Sequence, residues 1–237
     1  MYGAEAAKIY DAQHRARGKD YRGEATEVAA QIRRRMPEAR SVLDVACGTG
    51  GHLEPFLDMF DDAEGLELSE PMLDIARAAL PGVKLHHGDM RDFDLGRTFD
   101  AVTCLFASIA YVTSEAELHA ALRCFARHVV PGGVVAGEPW WLPEKFIDRY
   151  CSGDVVEADG MLIARVAHTV RDGDASRMEV HYTVVGADTG IRHFAEVHRA
   201  MLFERRQYEE AFTAAGLDVE YIDGIQCGRG LFVGVRR

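Results

Sequence analysis

Two glycines lie at a spacing that suits the backbone approach of a nucleotide-like ligand. Residues 41–50, SVLDVACGTG, begin with strand-forming side chains and end in small residues, and residues 52–58 continue with apolar side chains at helical spacing. The pattern predicts a strand, a glycine turn and a helix. Gly48 and Gly50 leave no Cβ at that turn, where a ligand over the carboxyl end of the strand would contact the backbone.

Carboxylates follow at the ends of the next two predicted strands. Glu67 closes the second strand, where it could accept hydrogen bonds from two ribose hydroxyls. Asp89 and Met90 follow the third strand and provide an acid and an apolar side chain for an adenine ring. A dinucleotide-binding turn would have a third glycine where this chain has Leu53. The prediction of a nucleotide-like ligand therefore depends more on Glu67 and Asp89 than on the two glycines.

The composition limits the class of protein. The 237 residues, 48% hydrophobic and 27% charged, are enough for one sizeable globular domain. No apolar run reaches the roughly 18 residues of a membrane helix, and residues 1–5 lack a signal-peptide layout. The net charge of −11 argues against a nucleic-acid partner. Five scattered cysteines without metal-ligand spacing indicate free thiols in a reducing cytoplasm, and no metal site is expected.

Helical and strand patterns alternate up to residue 138 and predict the scaffold that positions these side chains. Residues 1–37 are expected to form a helical lid, with a basic run at 13–22 that is either a solvated face or a cover over an anionic substrate. Residues 99–106 are a near-continuous apolar run, typical of a central parallel strand. The pattern then changes, and an antiparallel sheet is expected within about 140–203.

This insert is predicted to have three strands, at 162–171, 177–185 and 191–203. Ile163, Val180 and Val184 are expected on its outer face. That face would be a self-association surface or a roof over the nucleotide, and the chain is expected to be a homodimer.

Six segments, taken in order, resemble those of one family. They are GKDY at 18–21, LDVACGTG at 43–50, GLELS at 65–69, GDMRDF at 88–93, EPWW at 138–141 and GRGLF at 228–232. The cofactor segments are similar to those of class I S-adenosylmethionine (SAM)-dependent methyltransferases. Nearly the whole chain resembles the N,N-dimethyltransferases of dTDP-linked 3-amino-deoxysugars, such as those that make desosamine, mycaminose and rhodosamine. Departures from the usual residues of the family leave the identity of the sugar open, at Tyr111, Leu142, Gln226 and Cys227.

The resemblance implies a fold, a cofactor and a reaction. The fold is an α/β, Rossmann-like domain spanning 1–237, with a mostly parallel seven-stranded sheet, helices on both faces and the antiparallel insert. The amine of a dTDP-aminosugar in antibiotic deoxysugar biosynthesis displaces the methyl of SAM in line, and positioning of this kind lowers a barrier by roughly 7–11 kcal/mol. The residues expected to bind the cofactor are Asp44, Ala46, Gly48, Gly50, Glu67, Leu68, Met72, Asp89, Met90 and Phe106.

Basic and aromatic residues outside those segments are candidates for binding the nucleotide sugar. Arg229 lies between two glycines, which should leave its guanidinium free for a bidentate phosphate contact, with a surface ion pair as the alternative. Trp140 and Trp141 either stack on the sugar or thymine or fill the joint between sheet and insert. The expected substrate contacts are Tyr10, Lys19, Tyr21, Trp140, Trp141, Arg177, His181 and Arg229.

Tyrosines are the candidates for holding the amine. Tyr2, Tyr10 and Tyr111 are expected to orient it, and because desolvation beside a sulfonium lowers the pKa of an amine, a dedicated base is not required. His86 and His87 are interpreted as structural. Three alternatives stay open: an O-methyltransferase of a nucleotide sugar, which would need a base or a metal, a methyltransferase of a free small amine, and a non-catalytic SAM-binding protein.

Overall fold

The computed structural model describes residues 3–237. In chain order, its strands are β1 (Ser41–Val45), β2 (Asp62–Glu67), β3 (Leu85–His87), β4 (Phe99–Cys104), β5 (Val129–Gly137), β6 (Tyr150–Ala158), β7 (Met161–Asp172), β8 (Ala175–Gly186), β9 (Gly190–Met201), β10 (Leu217–Ile222) and β11 (Leu231–Arg236). Its α-helices are α1 (Ala4–Ala16), α2 (Tyr21–Arg35), α3 (Leu53–Met59), α4 (Glu70–Ala79), α5 (Glu115–Arg127) and α6 (Arg205–Ala214). A short 3₁₀ helix, Ser108–Tyr111, follows β4.

Seven strands form the central sheet, in the order β10-β11-β5-β4-β1-β2-β3. β11 is antiparallel to both of its neighbours, and the strands from β5 to β3 are parallel to one another. The prediction of a mostly parallel seven-stranded sheet is therefore confirmed. The parallel pairing brings the carboxyl ends of β1, β2 and β4 to one edge, where ligands bind in this type of sheet.

Helices cover both faces of this sheet because each has one apolar stripe to bury. On one face, Leu122 and Phe125 of α5 pack with Phe212 of α6. On the other face, Ile32 of α2 packs with Phe56 of α3. The predicted layers of helix, sheet and helix are confirmed.

The insert is an antiparallel sheet of four strands, ordered β6-β7-β8-β9, and not of three as predicted. The missed strand is β6, which lies at the edge and pairs with β7 over its whole length. Gly153 and the charged Asp154 and Glu157 interrupt its apolar residues, so its sequence does not show a clear strand pattern. The predicted β7–β8 turn is present, with Gly173 at φ 61°.

The expected outer face of the insert is wrong. Ile163, Val180 and Val184 are buried and pack with Ile9 of α1, on the inner face of the sheet. Strict alternation groups these residues but does not tell which of the two faces is covered. The side chains that are exposed on the opposite face include Val155, Leu162, Val166, Ile191 and Val197.

The basic run at 13–22 is mostly helical and its arginines have carboxylate partners. Arg15 of α1 pairs with Glu54 of α3 at 3.3 Å, and Arg22 of α2 pairs with Asp58 of α3 at 2.6 Å. Arg17 pairs with Asp154 of β6 at 2.7 Å. These ion pairs connect the N-terminal helices to α3 and to the insert. The role of residues 1–37 as a lid stays a prediction.

Candidate cofactor and substrate site

An enclosed cavity of about 30 Å³ lies where β1 and β4 end, under the N-terminal helices. Tyr10 of α1 and Tyr21 of α2 cover it, and the glycine turn after β1 forms its floor. Its lining is Tyr10, Tyr21, Asp44, Ala46, Cys47, Gly48, Thr49, Gly51, His52, Leu105, Phe106 and Ser108. The structure thus brings together Asp44, Ala46, Gly48 and Phe106 from the expected cofactor residues, and Tyr10 and Tyr21 from the expected substrate residues.

The carboxylate of Glu67 is held against the glycine turn by backbone donors. Its Oε2 accepts the N–H of Gly48 at 2.9 Å, and its Oε1 accepts those of Leu68 at 2.9 Å and Ser69 at 2.7 Å. A carboxylate has about four acceptor positions, so Oε2 still has one for a hydroxyl. Its fixed place at the end of β2 therefore fits the ribose of a nucleoside.

The two glycines of the turn have different roles. Gly50 has φ 91°, a backbone conformation strained for any side chain, and a Cβ added there would lie 2.7 Å from Cδ1 of Leu80, which would have to shift. Gly48 has φ 58°, and a Cβ there would meet nothing within 4 Å. The missing side chain of Gly48 therefore leaves open space beside Glu67, as close approach of a ligand requires.

Asp44 is buried at the carboxyl end of β1. Burial raises the pKa of its carboxyl to about 6. The interaction with His52 and a hydrogen bond from Thr103 lower this pKa, but burial outweighs them. The hydroxyl of Thr103 on β4 donates to Oδ1 of Asp44 at 2.8 Å. Asp44 thus lines the cavity as an acid that ionises at a higher pH than an ordinary aspartate.

The predicted adenine contacts lie apart from the enclosed cavity. The carboxylate of Asp89 accepts hydrogen bonds from the backbone N–H of Arg91, at 2.9 Å, and from two nitrogens of its guanidinium. The hydrogen bonds from the guanidinium lower the pKa of Asp89. Met90 packs against the core under α5. The adenine contact stays a prediction, and Arg91 would have to share Asp89 with the base.

Leu68 and Met72 differ in their exposure. Leu68 follows Glu67 and is exposed, so it is available to a ligand. Met72 of α4 is almost fully buried, with 2% exposure. Its predicted contact with the cofactor stays a prediction, which its burial does not favour.

Lys19 is buried beside the cavity and is not a mobile charge on a lid. Its Nζ lies 3.6 Å from the centre of the Phe106 ring and is paired with Glu24. His52 also contacts Glu24, at 2.8 Å. Burial alone would raise the pKa of Glu24, but the hydrogen bonds from His52 and Lys19 outweigh it and lower that pKa to about 2. The expected phosphate contact by Lys19 would therefore have to compete with Glu24.

Arg229 does not have the free guanidinium that its glycine neighbours suggested. Its Nε donates to Oε1 of Glu138 at 2.7 Å, Nη2 contacts the same oxygen, and both side chains are buried. The other oxygen of Glu138 accepts the N–H of Phe106 at 2.6 Å. The expectation of a free guanidinium is wrong, because sequence spacing could not reveal a partner 91 residues away, and the phosphate contact of Arg229 stays a prediction.

The two tryptophans lie over this ion pair. The guanidinium of Arg229 is 5.9 Å from the ring centre of Trp140 and 5.8 Å from that of Trp141. Nε1 of Trp140 is buried and has no hydrogen-bond acceptor within residues 3–237. The predicted alternative of a joint filler fits the cation–π packing, and the indole N–H of Trp140 is the atom that a substrate could engage.

Arg177 and His181 are on the wrong side of the insert for the expected nucleotide contacts. Both alternate with the buried Val180 and Tyr182 on β8 and therefore point to the outer face. They bind Glu179 there, at 3.0 Å and 3.1 Å. The sheet separates them from the cavity of the same chain.

The tyrosines expected to hold the amine lie near one another where they are described. Tyr10 lines the cavity, and burial first, then its neighbours Tyr21 and Tyr111, raise the pKa of its phenol. The buried hydroxyl of Tyr21 lacks a hydrogen-bond partner within residues 3–237. Tyr111 contacts His198 of β9. Tyr2 lies outside the described residues, and its role stays a prediction.

His86 and His87 have structural partners, as predicted. His86 contacts Glu64 at 2.7 Å, and His87 contacts the carbonyl of Leu68 at 2.9 Å. Within residues 3–237 no group of three or more potential metal ligands is present. Over the same residues, every helix is too short or too polar to span a membrane.

Sequence reasoning missed several residues of the site. Glu138 belongs to the EPWW segment, but its sequence context indicated no function for it. Glu196 and His198 lie two positions apart on β9, a spacing that is common in strands and therefore gives no signal. Asp11 of α1 accepts the hydroxyl of Thr49 in the glycine turn at 2.7 Å. The contacts of Glu138 with Arg229, of His198 with Tyr111 and of Asp11 with Thr49 join distant parts of the chain.

The chain is similar to known methyltransferases over its full length. A methyltransferase-domain family model matches residues 42–133. The dTDP-3-amino-3,4,6-trideoxy-alpha-D-glucopyranose N,N-dimethyltransferase of Streptomyces venezuelae is 56% identical over 99% of both chains. The dTDP-4-amino-2,3,4,6-tetradeoxy-D-glucose N,N-dimethyltransferase of Saccharopolyspora spinosa is 48% identical over 100% of this chain and 94% of its own. The SAM-bound amino pentose methyltransferase CalS10 of Micromonospora echinaspora is 49% identical, with a TM-score of 0.89 over 97% of both chains.

Proposed function

Because the chain belongs to the SAM-dependent N,N-dimethyltransferases of dTDP-linked aminosugars, we propose that it dimethylates the amino group of such a sugar in antibiotic deoxysugar biosynthesis. The observation that carries this proposal is the 56% identity over 99% of both chains. The position of Glu67 beside Gly48 supports the same cofactor. One of the relatives acts on a 3-amino sugar and another on a 4-amino sugar, so the proposal covers both positions.

Positive charge near the C-terminal end of α1 supports an anionic substrate. His14 is buried there, and burial first, then the charges of Arg17, Lys19 and Arg165, lower its pKa to about 3. The protein as a whole has a net charge of −11, so this cluster is a local exception. Arg17 and Lys19 are already paired with Asp154 and Glu24, whereas the guanidinium of Arg165 contacts Ser152 and Met178. A pyrophosphate between α1 and the insert would be attracted to Arg165 and would compete with the two carboxylates for the other charges, and we propose this place in preference to Arg229.

The chain's own residues bind and orient the reactants. SAM, when bound, supplies the electrophilic methyl of its sulfonium. Glu67 and Gly48 hold the ribose, and Asp44 lines the cavity next to them. Tyr10 and Tyr21 exclude water from the side of the N-terminal helices, so that water does not compete for hydrogen bonds with the amine. Tyr111 is proposed to hold the amine nitrogen by its hydroxyl.

We further propose a cytoplasmic homodimer that binds neither nucleic acid nor membrane. The exposed apolar side chains on the outer face of the insert support self-association, since a patch of this kind usually marks an interface. The acidic net charge supports the absence of a nucleic-acid partner.

The test is a mass-spectrometric assay with SAM and a panel of dTDP-aminosugars that have the amine at C3 or C4. Two added methyl groups on one member are expected. The matched controls are the same sugars without dTDP and the dTDP-sugars with a hydroxyl in place of the amine. Methylation of a hydroxyl control would point to an O-methyltransferase, and equal rates with the free aminosugars would contradict a nucleotide-sugar substrate.

A further inference from the structure

A glutamate, a histidine and a tyrosine form a chain of contacts that leads away from the cofactor cavity. Nδ1 of His198 is 3.1 Å from the hydroxyl of Tyr111, and Nε2 of His198 is 3.2 Å from Oε2 of Glu196. The other carboxylate oxygen of Glu196 accepts the N–H of Gly3 at 2.7 Å. Glu196 and His198 are two residues apart on β9 and so share its inner face.

The partners of His198 indicate which nitrogen carries its proton. Oε2 of Glu196 is buried and makes no hydrogen bond within residues 3–237, and its contact with Nε2 of His198 at 3.2 Å is an ion-pair distance. A carboxylate can only accept, so it favours a proton on Nε2 of His198, and Nδ1 is then the acceptor for the Tyr111 hydroxyl. A base held by a carboxylate on one side and contacting a hydroxyl on the other is the arrangement that activates hydroxyl groups in enzymes.

Tyr111 connects this pair to the cavity. It ends the 3₁₀ helix after β4, and Phe106 and Ser108, just before it, line the cavity. Tyr10, which also lines the cavity, lies close enough to Tyr111 for their interaction to raise the pKa of Tyr10. Tyr111 therefore lies near Tyr10 of the cavity and contacts His198.

We propose that Tyr111, His198 and Glu196 form a proton relay that deprotonates the substrate amine before each methyl transfer. The proposal rests on the proposed N,N-dimethylation and assigns a base where the sequence had indicated only that a dedicated one is not required. The ammonium N–H bond breaks and its proton passes to the phenolic oxygen of Tyr111, while the phenol gives its own proton to Nδ1 of His198. The nitrogen keeps the electron pair, and Glu196 stabilises the imidazolium until the proton returns to solvent.

Dimethylation makes such a relay useful twice. An aliphatic amine such as that of lysine has a pKa of about 10.4, so most of it is protonated near neutral pH. The product of the first transfer is again an ammonium and must lose a proton before it can accept a second methyl. A positioned base typically contributes about 10²–10⁴-fold to a rate.

Few charged groups face the relay from the elements packed around it. Met178 of β8 lies opposite His198 and is uncharged. From α1, Tyr10 faces Tyr111, and Glu5 is paired with Arg192 of β9 at 2.6 Å. Glu196 is thus the carboxylate that acts directly on His198.

The test compares the pH dependence of kcat/KM for His198→Gln and Tyr111→Phe with that of the wild type. At pH 7 each variant should lose about 10²-fold, and the loss should shrink toward pH 10, where solvent deprotonates the amine. His193→Gln is the matched control, because His193 lies on the same strand but binds Thr183 on the exposed face. A loss independent of pH, or a wild-type rate at pH 7, would overturn the relay.

A second measurement does not depend on turnover. Nitrogen-15 NMR of labelled histidine should find His198 with its proton on Nε2, and Glu196→Gln should change that signal more than Asp188→Asn does. Observation of the proton on Nδ1 would overturn the relay even in an active enzyme. If the wild type methylates none of the aminosugars but the NMR result holds, the proposed function fails, and the catalytic role of the relay fails with it, while the contacts of His198 with Tyr111 and Glu196 stand.

Discussion

Arg229 and Glu138 form an ion pair inside the protein, at the carboxyl end of β5. The pair joins the last turn of the chain to the loop after β4, because Glu138 also accepts the N–H of Phe106. Phe106 lines the cavity and lies against Lys19. The pair therefore acts on the shape of the site, and a substitution of Arg229 should first affect folding.

Arg229→Ala is expected to lower the free energy of unfolding by about 3–5 kcal/mol, because it leaves the buried Glu138 without a counter-ion. Urea denaturation would measure this loss, and Glu138→Gln in the same chain should restore part of it. Arg237→Ala, which removes an exposed ion pair with Asp218, is the control and should cost less than about 1 kcal/mol. Normal stability with a raised KM for the nucleotide sugar would instead indicate direct phosphate contact.

Glu67→Ala is expected to weaken cofactor binding by about 1.5–3 kcal/mol, since it removes a charged acceptor and releases the N–H of Gly48. Isothermal titration calorimetry with SAM would measure the change. Glu70→Ala removes an exposed carboxylate three residues along the chain and should leave the affinity unchanged. An unchanged affinity for the Glu67 variant would remove Glu67 from the cofactor site.

Asp44→Asn is expected to stabilise the protein at high pH only. The pKa of Asp44 is raised from 3.8 in the unfolded chain to about 6 in the folded state, so between these pH values the folded state binds more protons than the unfolded state. Ionisation of Asp44 therefore lowers the free energy of unfolding as the pH rises from about 4 through about 6. The variant should gain about 3 kcal/mol at pH 8 and less than about 1 kcal/mol at pH 4. Denaturation at both pH values would measure this, and equal effects at both would contradict a raised pKa.

The outer face of the insert is expected to form the homodimer. Val166→Lys would place a charge among the exposed Val155, Leu162 and Val197, and should convert a dimer at micromolar concentration to a monomer. Leu57→Lys changes an exposed leucine of α3 and should leave the dimer intact. Sedimentation velocity would distinguish these results, and a monomeric wild type would contradict the prediction.

Features that depend on neighbouring residues can be predicted from the amino-acid sequence of this protein. The strand, glycine turn and helix around Gly48, the acid at Glu67 and the apolar strand before Phe106 are local patterns, and the structure has them in place. Burial with a period of 2 or 3.6 residues is visible in a sequence because it follows from the geometry of one strand or helix. The alternating pattern also predicts the antiparallel insert, but not its edge strand β6, whose apolar residues are interrupted by charged ones.

The pairing of the charges and the covered face of the insert could not be predicted from the sequence, because both depend on how distant elements pack. Glu138 meets Arg229 across 91 residues, and His198 meets Tyr111 across 87, so no local spacing reports either contact. Alternation grouped Ile163 with Val180, but their place on the inner face depends on the packing of α1. Such contacts depend on the relative positions of whole elements, which are set by burial of the combined core.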